Sequence, residues 1–191
     1  MKLLDDEKLR KLVEAAIFVT DVPLTILKLK DGVLSHYKVS NKRIKEALTF
    51  LQESYKDKGV NLVKVASGYR FQAHESLAED LGEMSKEKAP KYSRAIIETL
   101  ALIAYKQPIT RGEIEEIRGV GVSSYIMKTL TERSWVKVVG QKEVPGKPAL
   151  YATTKEFLDY FGLNSLVELP ELMPLPELSL ENKESDRSTP I

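Results

Sequence analysis

The 191-residue chain contains no cysteine and only two histidines, which excludes several kinds of site at the outset. Without thiols there is no disulfide framework and no thiol chemistry, as is typical of proteins in a reducing compartment. His36 and His74 lie far apart in the sequence with no cysteine beside them, so we expect no zinc site and interpret both as surface or turn residues. No cofactor is expected.

The chain also lacks a long apolar run. No uncharged stretch approaches the ~20 residues that a membrane-spanning helix needs, so no membrane association is expected. Asp5, Asp6 and Glu7 stand where a signal peptide would have its apolar core. Together these observations predict a cytoplasmic protein.

Neither sign of charge is in excess, since the net charge is +1. Residues 1–82 contain 14 lysines and arginines against 12 aspartates and glutamates, and residues 91–162 contain 11 against 8. A protein that neutralises many phosphates has a strongly basic surface. The composition therefore predicts weak or indirect DNA contact at most.

The second half of the chain shows a pattern of helices punctuated by turns. Apolar residues at spacings of three and four predict a first helix: Tyr92, Ile96, Thr99, Leu100 and Ile103. Pro108 ends it, because a residue without an N–H cannot continue the hydrogen-bond ladder. Thr110 and Glu113 then form a T-x-x-E capping box, which predicts the start of a second helix.

A third helix and a hairpin complete this unit. Gly119 and Gly121 mark a tight turn, after which Ser123 or Ser124 caps the third helix. β-branched and aromatic runs at 135–140 and 149–153 predict two strands, with a Pro-Gly turn at 145–146 between them. This order of elements is that of a winged helix.

The first half repeats the order of elements without repeating the residues. Its predicted elements are a helix after Asp5 or Asp6, an apolar piece at 24–29, a helix after Asn41, a hairpin at 60–65 and 69–73, and a closing helix at 75–81. The predicted fold is α+β and mainly helical, with two tandem winged-helix domains, each a three-helix unit with a β-hairpin wing. A single three-helix bundle with an added sheet is the alternative, and the two separate hairpins argue against it.

Composition suggests where the domains end. The charged segment 83–91 contains a proline and no apolar stripe, so it is interpreted as a linker between domains at 1–82 and 92–162. Residues 163–191 are leucine- and proline-rich, then acidic, and are predicted to be a largely disordered tail. Within this tail, packing of 163–178 on the second domain or on a partner is the alternative to disorder.

Candidate catalytic groups are few. Glu113, Glu115 and Glu116 cluster at the start of a helix, where carboxylates interact favourably with the positive end of the helix dipole, so a structural role is expected. The Gly119-x-Gly121 pair lacks the rest of a phosphate-binding loop and lies between helices rather than after a strand. The chain is not expected to be an enzyme.

The third helix of the second unit is the one that would read bases in a DNA-binding winged helix. Base reading needs arginine, asparagine, glutamine or lysine, whereas Tyr125, Ile126 and Met127 stand at successive positions here. Successive helical residues point about 100° apart, so at least one of the three should be exposed. The pattern favours a protein-binding face; a winged-helix DNA-binding transcriptional regulator is the alternative, with Lys142 and Lys147 of the wing as weak phosphate contacts.

Several runs of residues resemble the bacterial segregation and condensation protein B family. They are A-L-I-A-Y-K-Q-P-I-T-R-G-E-I-E-E-I-R-G-V at 101–120, V-G-Q-K-E-V-P-G-K-P at 139–148 and L-Y-A-T-T-K-E-F-L-D-Y-F-G-L at 150–163, with looser similarity at 13–24 and 68–71. After Arg118-Gly119-Val120 the family usually has Asn-Ser-Asp, whereas this chain has Gly-Val-Ser. The segment 28–39 also departs from the family pattern.

The resemblance implies a non-enzymatic subunit of the SMC–kleisin condensin-like complex, associated with the nucleoid. Proteins of this family are tandem winged helices that form homodimers through the first domain. They clasp the central linker of the kleisin ScpA, which in turn bridges the ATPase heads of the SMC protein. The implied role is in chromosome condensation and segregation.

Three sets of residues are predicted to carry this role. The partner-binding set is Tyr105, Tyr125, Ile126 and Met127. The dimerisation set is Leu24, Ile26, Leu27 and Leu29, because a short helix turns only about half of its apolar residues toward its own core. The set that shapes turns and stiffens the wing is Arg118, Gly119, Pro145, Gly146, Pro148 and Tyr151.

Overall fold

Apolar side chains gather in two separate cores in the computed structural model, which describes residues 2–84 and 92–171. One core is built from residues between 4 and 62, and the other from residues between 96 and 157. Within the described residues each unit has four α-helices, and the first has a two-stranded and the second a three-stranded antiparallel sheet. The predicted α+β fold of two tandem winged-helix units is confirmed.

The first unit follows the predicted order of elements. Its elements are α1 (Asp6–Phe18), α2 (Ile26–Asp31), α3 (Asn41–Ser54), the antiparallel strands β1 (Val60–Val65) and β2 (Gly68–Ala73), a 3-10 turn (Glu75–Leu77) and α4 (Ala78–Met84). α1 buries Leu9, Val13 and Ile17, which are four residues apart and so share one face. The Asp5 side chain caps α1 by accepting a hydrogen bond from the Lys8 N–H at 2.8 Å.

Two predicted details of the first unit are corrected. Ser40, rather than Asn41, caps α3, since its hydroxyl accepts from the Arg43 N–H while Asn41 already has helical geometry. α4 runs to Met84, so the segment predicted as a linker begins inside a helix. The rest of that segment, 85–91, lies outside the described residues.

The second unit adds one short strand to the predicted elements. It comprises α5 (Arg94–Lys106), β3 (Ile109–Thr110), α6 (Arg111–Arg118), α7 (Ser124–Glu132), β4 (Val136–Gln141), β5 (Ala149–Thr153), α8 (Lys155–Tyr160) and a 3-10 turn (Leu166–Glu168). The sheet order is β3-β5-β4, with Ile109 opposite Tyr151. Thr110 and Glu113 form both hydrogen bonds of the predicted capping box, each side chain accepting from the other residue's backbone N–H. Ser123 caps α7.

The segment after α8 packs back on the second unit. Leu163 and Leu169 lie against the second core, and the Tyr105 hydroxyl donates a hydrogen bond to the Pro170 carbonyl. Of the two readings of this segment, packing on the second unit therefore holds for 163–171. The predicted disordered remainder, 172–191, lies outside the described residues.

The turn of the β1–β2 hairpin also contacts the second unit. The Ser67 N–H donates to the Asp159 carboxylate at 2.9 Å, and the Ala66 N–H donates to the Leu163 carbonyl at 3.0 Å. Both acceptors lie at the end of α8 or directly after it. The first wing is thereby joined to the start of the C-terminal segment.

Gly68 should be intolerant of a side chain. Its φ is +139°, and an added Cβ would lie 2.5 Å from the Leu24 carbonyl group. We expect Gly68→Ala to destabilise the first unit by about 1–3 kcal/mol, because both the backbone strain and the clash must be relieved. Gly112→Ala is the matched control, since nothing lies within 4 Å of its position in α6 and alanine favours a helix by up to about 1 kcal/mol. Urea unfolding measures both; equal stabilities would contradict the geometry.

Candidate partner-binding surfaces

The exposed face of α7 is narrower than its sequence predicts. Tyr125 is 70 % exposed, whereas Ile126 and Met127 are each 7 % exposed and belong to the second core. The prediction that Ile126 and Met127 bind a partner is therefore corrected. The core covers an arc of α7 wide enough to take in two successive positions, which leaves Tyr125 as the available anchor.

Tyr105 lies in an apolar groove, called here the α5 groove, with a cavity volume of about 360 Å³. Its walls come from α5, α8 and the segment 163–170, and include Ile97, Ala101, Phe157, Phe161 and Leu169. The charged side chain at its rim, Glu168, accepts hydrogen bonds from the Asn164 backbone and amide at 2.7 and 3.0 Å. The groove therefore presents mainly apolar surface beside a half-buried tyrosine.

The four residues predicted for dimerisation divide into three environments. Leu27 is 66 % exposed, and Leu24 and Ile26 are half-buried against the first core. Leu29 is 1 % exposed, so its predicted place in an interface is corrected. Leu27 and Leu29 are two positions apart on the six-residue helix α2, which places them about 200° apart around its axis. Leu29 therefore faces inward and Leu27 outward.

Arg118 and Gly119 lie at the end of α6. The Arg118 side chain is 8 % exposed, and its Nη2 lies 3.2 Å from Oε2 of Glu98 on α5. Hydrogen bonds from Arg94 and Arg118 lower the pKa of Glu98. Gly119 ends the helix with a φ of +68°, a conformation that glycine adopts without a Cβ penalty. These positions match the predicted scaffold role, which stays a prediction.

The remaining predicted scaffold residues lie in the second wing. Pro145 and Gly146 form its turn, with Gly146 at a φ of +84°. The Pro148 carbonyl accepts from the Lys142 N–H at 2.9 Å. Tyr151 on β5 faces Ile109 across one strand pair and its side chain packs on the second core.

Two of the residues at 121–123, where the chain departs from the family pattern, have defined roles in the structure. Val122 is fully buried in the second core, and its N–H donates to the Glu115 carboxylate at 2.9 Å. Ser123 caps α7 through its hydroxyl and the Ile126 N–H. Two of the three differing residues therefore serve packing and capping.

The wing is tied to α6 by an ion pair that the sequence did not predict. Nζ of Lys142 lies 2.6 Å from Oε1 of Glu113, and Oε2 of Glu113 accepts from the Thr110 N–H at 2.8 Å. The hydrogen bond from Lys142, followed by those from Thr110, lowers the pKa of Glu113 to about 2. Lys142 is thus engaged within the protein rather than free for a phosphate.

Two further observations bear on the class of site. In the ranges 2–84 and 92–171, no group of three or more histidine, aspartate or glutamate side chains has the arrangement that holds a metal ion. None of the helices described is both long enough and apolar enough to cross a membrane.

A family model described as segregation and condensation complex subunit ScpB matches residues 11–172. The chain belongs to this family. The segregation and condensation protein B homolog of Coxiella burnetii is 51 % identical over 166 residues, which cover 87 % of this chain and 79 % of that protein. The segregation and condensation protein B of Syntrophotalea carbinolica is 35 % identical over 182 residues, covering 94 % and 90 %.

Among solved structures, the crystal structure of ScpB from Mycobacterium tuberculosis is 29 % identical, with a TM-score of 0.39, and the match covers 84 % of this chain and 98 % of that one. Family membership makes the chain a subunit that acts in chromosome segregation and condensation.

Stability should depend on the charge of Glu113. The folded-state pKa of about 2 lies below the ordinary value of 4.5, so ionised Glu113 stabilises the fold above about pH 4.5, and this contribution is lost as the pH falls toward about 2. Glu113→Gln should therefore melt below the wild type at neutral pH, and the gap should shrink over that acid range. Glu116→Gln, on the exposed face of the same helix, is the control. A gap for Glu113→Gln that does not change with pH would refute this assignment.

Proposed function

We propose that the chain is a non-enzymatic subunit of an SMC–kleisin complex that binds the central linker of the kleisin ScpA and forms a homodimer. In this proposal residues 1–82 form the dimerising domain and residues 92–162 the kleisin-binding domain. ScpA links it to the SMC ATPase at the nucleoid. Membership in the ScpB family supports the proposal, and the exposed Tyr125 on α7 is the observation that carries the partner-binding part.

The chemistry of α7 supports peptide binding over base reading. Its exposed side chains include Ser124 and Tyr125, while Lys128 lies 3.6 Å from Glu132 and is partly neutralised by it. A tyrosine offers a large contact area and loses little conformational entropy on binding, which is why aromatic residues dominate interface anchors. A helix that offers an aromatic ring and a neutralised lysine suits an apolar peptide side chain.

Tyr105 is the second proposed anchor. It lies beside apolar surface in the α5 groove, and its hydroxyl is already bonded to Pro170. The ring, rather than the hydroxyl, is therefore the part expected to contribute to binding. For dimerisation, Leu27 is the proposed central contact, because it is a large apolar residue exposed on α2 of the first unit.

Calorimetric titration with the kleisin linker tests the two anchors. Tyr125→Ala and Tyr105→Ala should each weaken binding by about 1–2 kcal/mol, the cost of removing an aromatic anchor. Tyr105→Phe should bind like the wild type, since the ring is retained. Lys128→Ala, one turn from Tyr125 on the same helix, is the matched control and should have little effect.

Two outcomes of this titration would contradict the proposal. Wild-type affinity in the Tyr125→Ala, Tyr105→Ala double variant would exclude both anchors. A steep loss of affinity with salt, together with a larger effect of Lys128→Ala than of Tyr125→Ala, would indicate a charge-driven interface instead.

Light scattering on the full chain tests the dimer. Leu27→Ser should shift the chain toward monomer, because it replaces the proposed apolar contact by a polar group. Lys30→Ser changes an exposed residue of the same helix to the same side chain and should leave the dimer intact. A wild-type chain that is monomeric at tens of micromolar would refute dimerisation, and an unaffected Leu27→Ser dimer would refute its placement on α2.

A further inference from the structure

The turn of the first wing is hydrogen-bonded to the wall of the α5 groove. The Ala66 N–H donates to the Leu163 carbonyl at 3.0 Å, and Leu163 is one of the residues that line the groove. The next N–H along the turn, that of Ser67, donates to Oδ1 of Asp159 at 2.9 Å. In the part of the chain that the structure describes, these are the two hydrogen bonds that join the first unit to the second.

The two acceptors lie on either side of another groove residue. Asp159 and Leu163 are four positions apart, and Phe161 between them also lines the groove. Gly162, at a φ of +71°, turns the chain after α8. A contact that holds both ends of the segment 159–163 therefore holds the backbone that carries two side chains of the groove wall.

The donor side of this contact is itself held firmly within the first unit. Leu24 and Tyr69 exchange two backbone hydrogen bonds of 2.9 Å, which tie the wing to the residues before α2. Gly68 lies so close to Leu24 that an added Cβ would be 2.5 Å from its carbonyl group. The two N–H groups of the turn are therefore presented in fixed positions, and little ordering of the turn is needed when it meets the second unit.

We propose that docking of the first wing on the segment 159–163 regulates peptide binding in the α5 groove, with Asp159 as the positioning residue. When the units are docked, Phe161 and Leu163 are held in place in the groove wall. When they are undocked, the peptide must order this wall as it binds, which lowers its affinity. This coupling rests on the proposed function, in which the kleisin linker contacts the groove at Tyr105.

Two hydrogen bonds are few enough for the docking to act as a switch. The loss of one intramolecular hydrogen bond shifts an equilibrium by about two- to ten-fold, and units joined by a small interface move relative to each other unless other contacts prevent it. Because coupling between two equilibria is reciprocal, a peptide that binds the docked form more tightly also favours docking.

Calorimetric titration of the full chain with the kleisin linker measures the coupling. Asp159→Ala should weaken binding by about five-fold, the effect of one lost hydrogen bond. Asp159→Asn retains an acceptor oxygen and should bind like the wild type. Ser67→Ala should also have no effect, because the donor is a backbone N–H. Glu156→Ala, which removes an exposed carboxylate from the same helix, is the matched control.

Double variants show whether Asp159 acts through the groove. In a Tyr105→Ala background the loss caused by Asp159→Ala should shrink, because both changes affect the same groove. In a Tyr125→Ala background it should keep its full size, since Tyr125 is not among the residues that line the groove. Effects of residues without shared partners add, whereas those of residues in one network do not.

Hydrogen exchange of the Ala66 amide reports on docking without any variant. In the wild type this amide should be protected, although it lies in a hairpin turn, because its acceptor is in the other unit. A saturating concentration of the linker should slow its exchange further, as reciprocity requires. Asp159→Ala should speed its exchange, and Asp159→Asn should not.

The outcomes separate this coupling from the proposed function. A wild-type chain that does not bind the linker would overturn the proposed function and the coupling with it. A wild-type chain that binds, with equal or tighter binding by Asp159→Ala, would overturn the coupling alone. So would an Ala66 amide that exchanges freely or does not respond to the linker. Asp159→Asn as weak as Asp159→Ala would assign the effect to the carboxylate charge instead of to docking.

Discussion

Around the apolar core of the second unit, one ionised group connects three elements, the carboxylate of Glu113. It accepts hydrogen bonds from the backbone and side chain of Thr110 and from Nζ of Lys142. Thr110 belongs to β3, which pairs with the central strand β5, and Lys142 follows β4 at the start of the wing loop. Charge-assisted bonds are stronger than neutral ones. The start of α6, the short strand β3 and the wing are therefore connected through a single charged side chain.

Local signals in the sequence predicted most of the elements, and long-range pairings were the part they missed. The Thr110–Glu113 capping box was predicted because both partners lie within four residues and because the T-x-x-E motif itself specifies the two hydrogen bonds. β3 was missed because two residues are too few to show the alternation of apolar and polar residues that identifies a strand. Its pairing with β5 also joins positions about forty residues apart, which no local pattern can reveal. The bond between Lys142 and Glu113 was missed for the same reason.

The candidate site was predicted less well than the fold, because exposure of a given helical face depends on what packs against it. The sequence established that Tyr125, Ile126 and Met127 cannot all point the same way, but the width of the buried arc of α7 is set by α5 and the sheet. Likewise the apolar residues of α2 did not reveal that Leu29 faces inward and Leu27 outward. The leucines at 163 and 169 pack on the second core whereas Leu166 between them is 38 % exposed, so their spacing alone did not predict which of them would be covered.

The bond between Ser67 and Asp159 bears on the order in which the chain folds. These residues are 92 positions apart, whereas each core is assembled from its own half of the chain. Closing so long a loop costs more entropy than forming nearby contacts, and the hairpin turn and α8 must both exist before the bond can form. Loop-closure entropy therefore favours forming each core before the two units dock. During synthesis the first unit has all the residues of its core available before the second unit is complete.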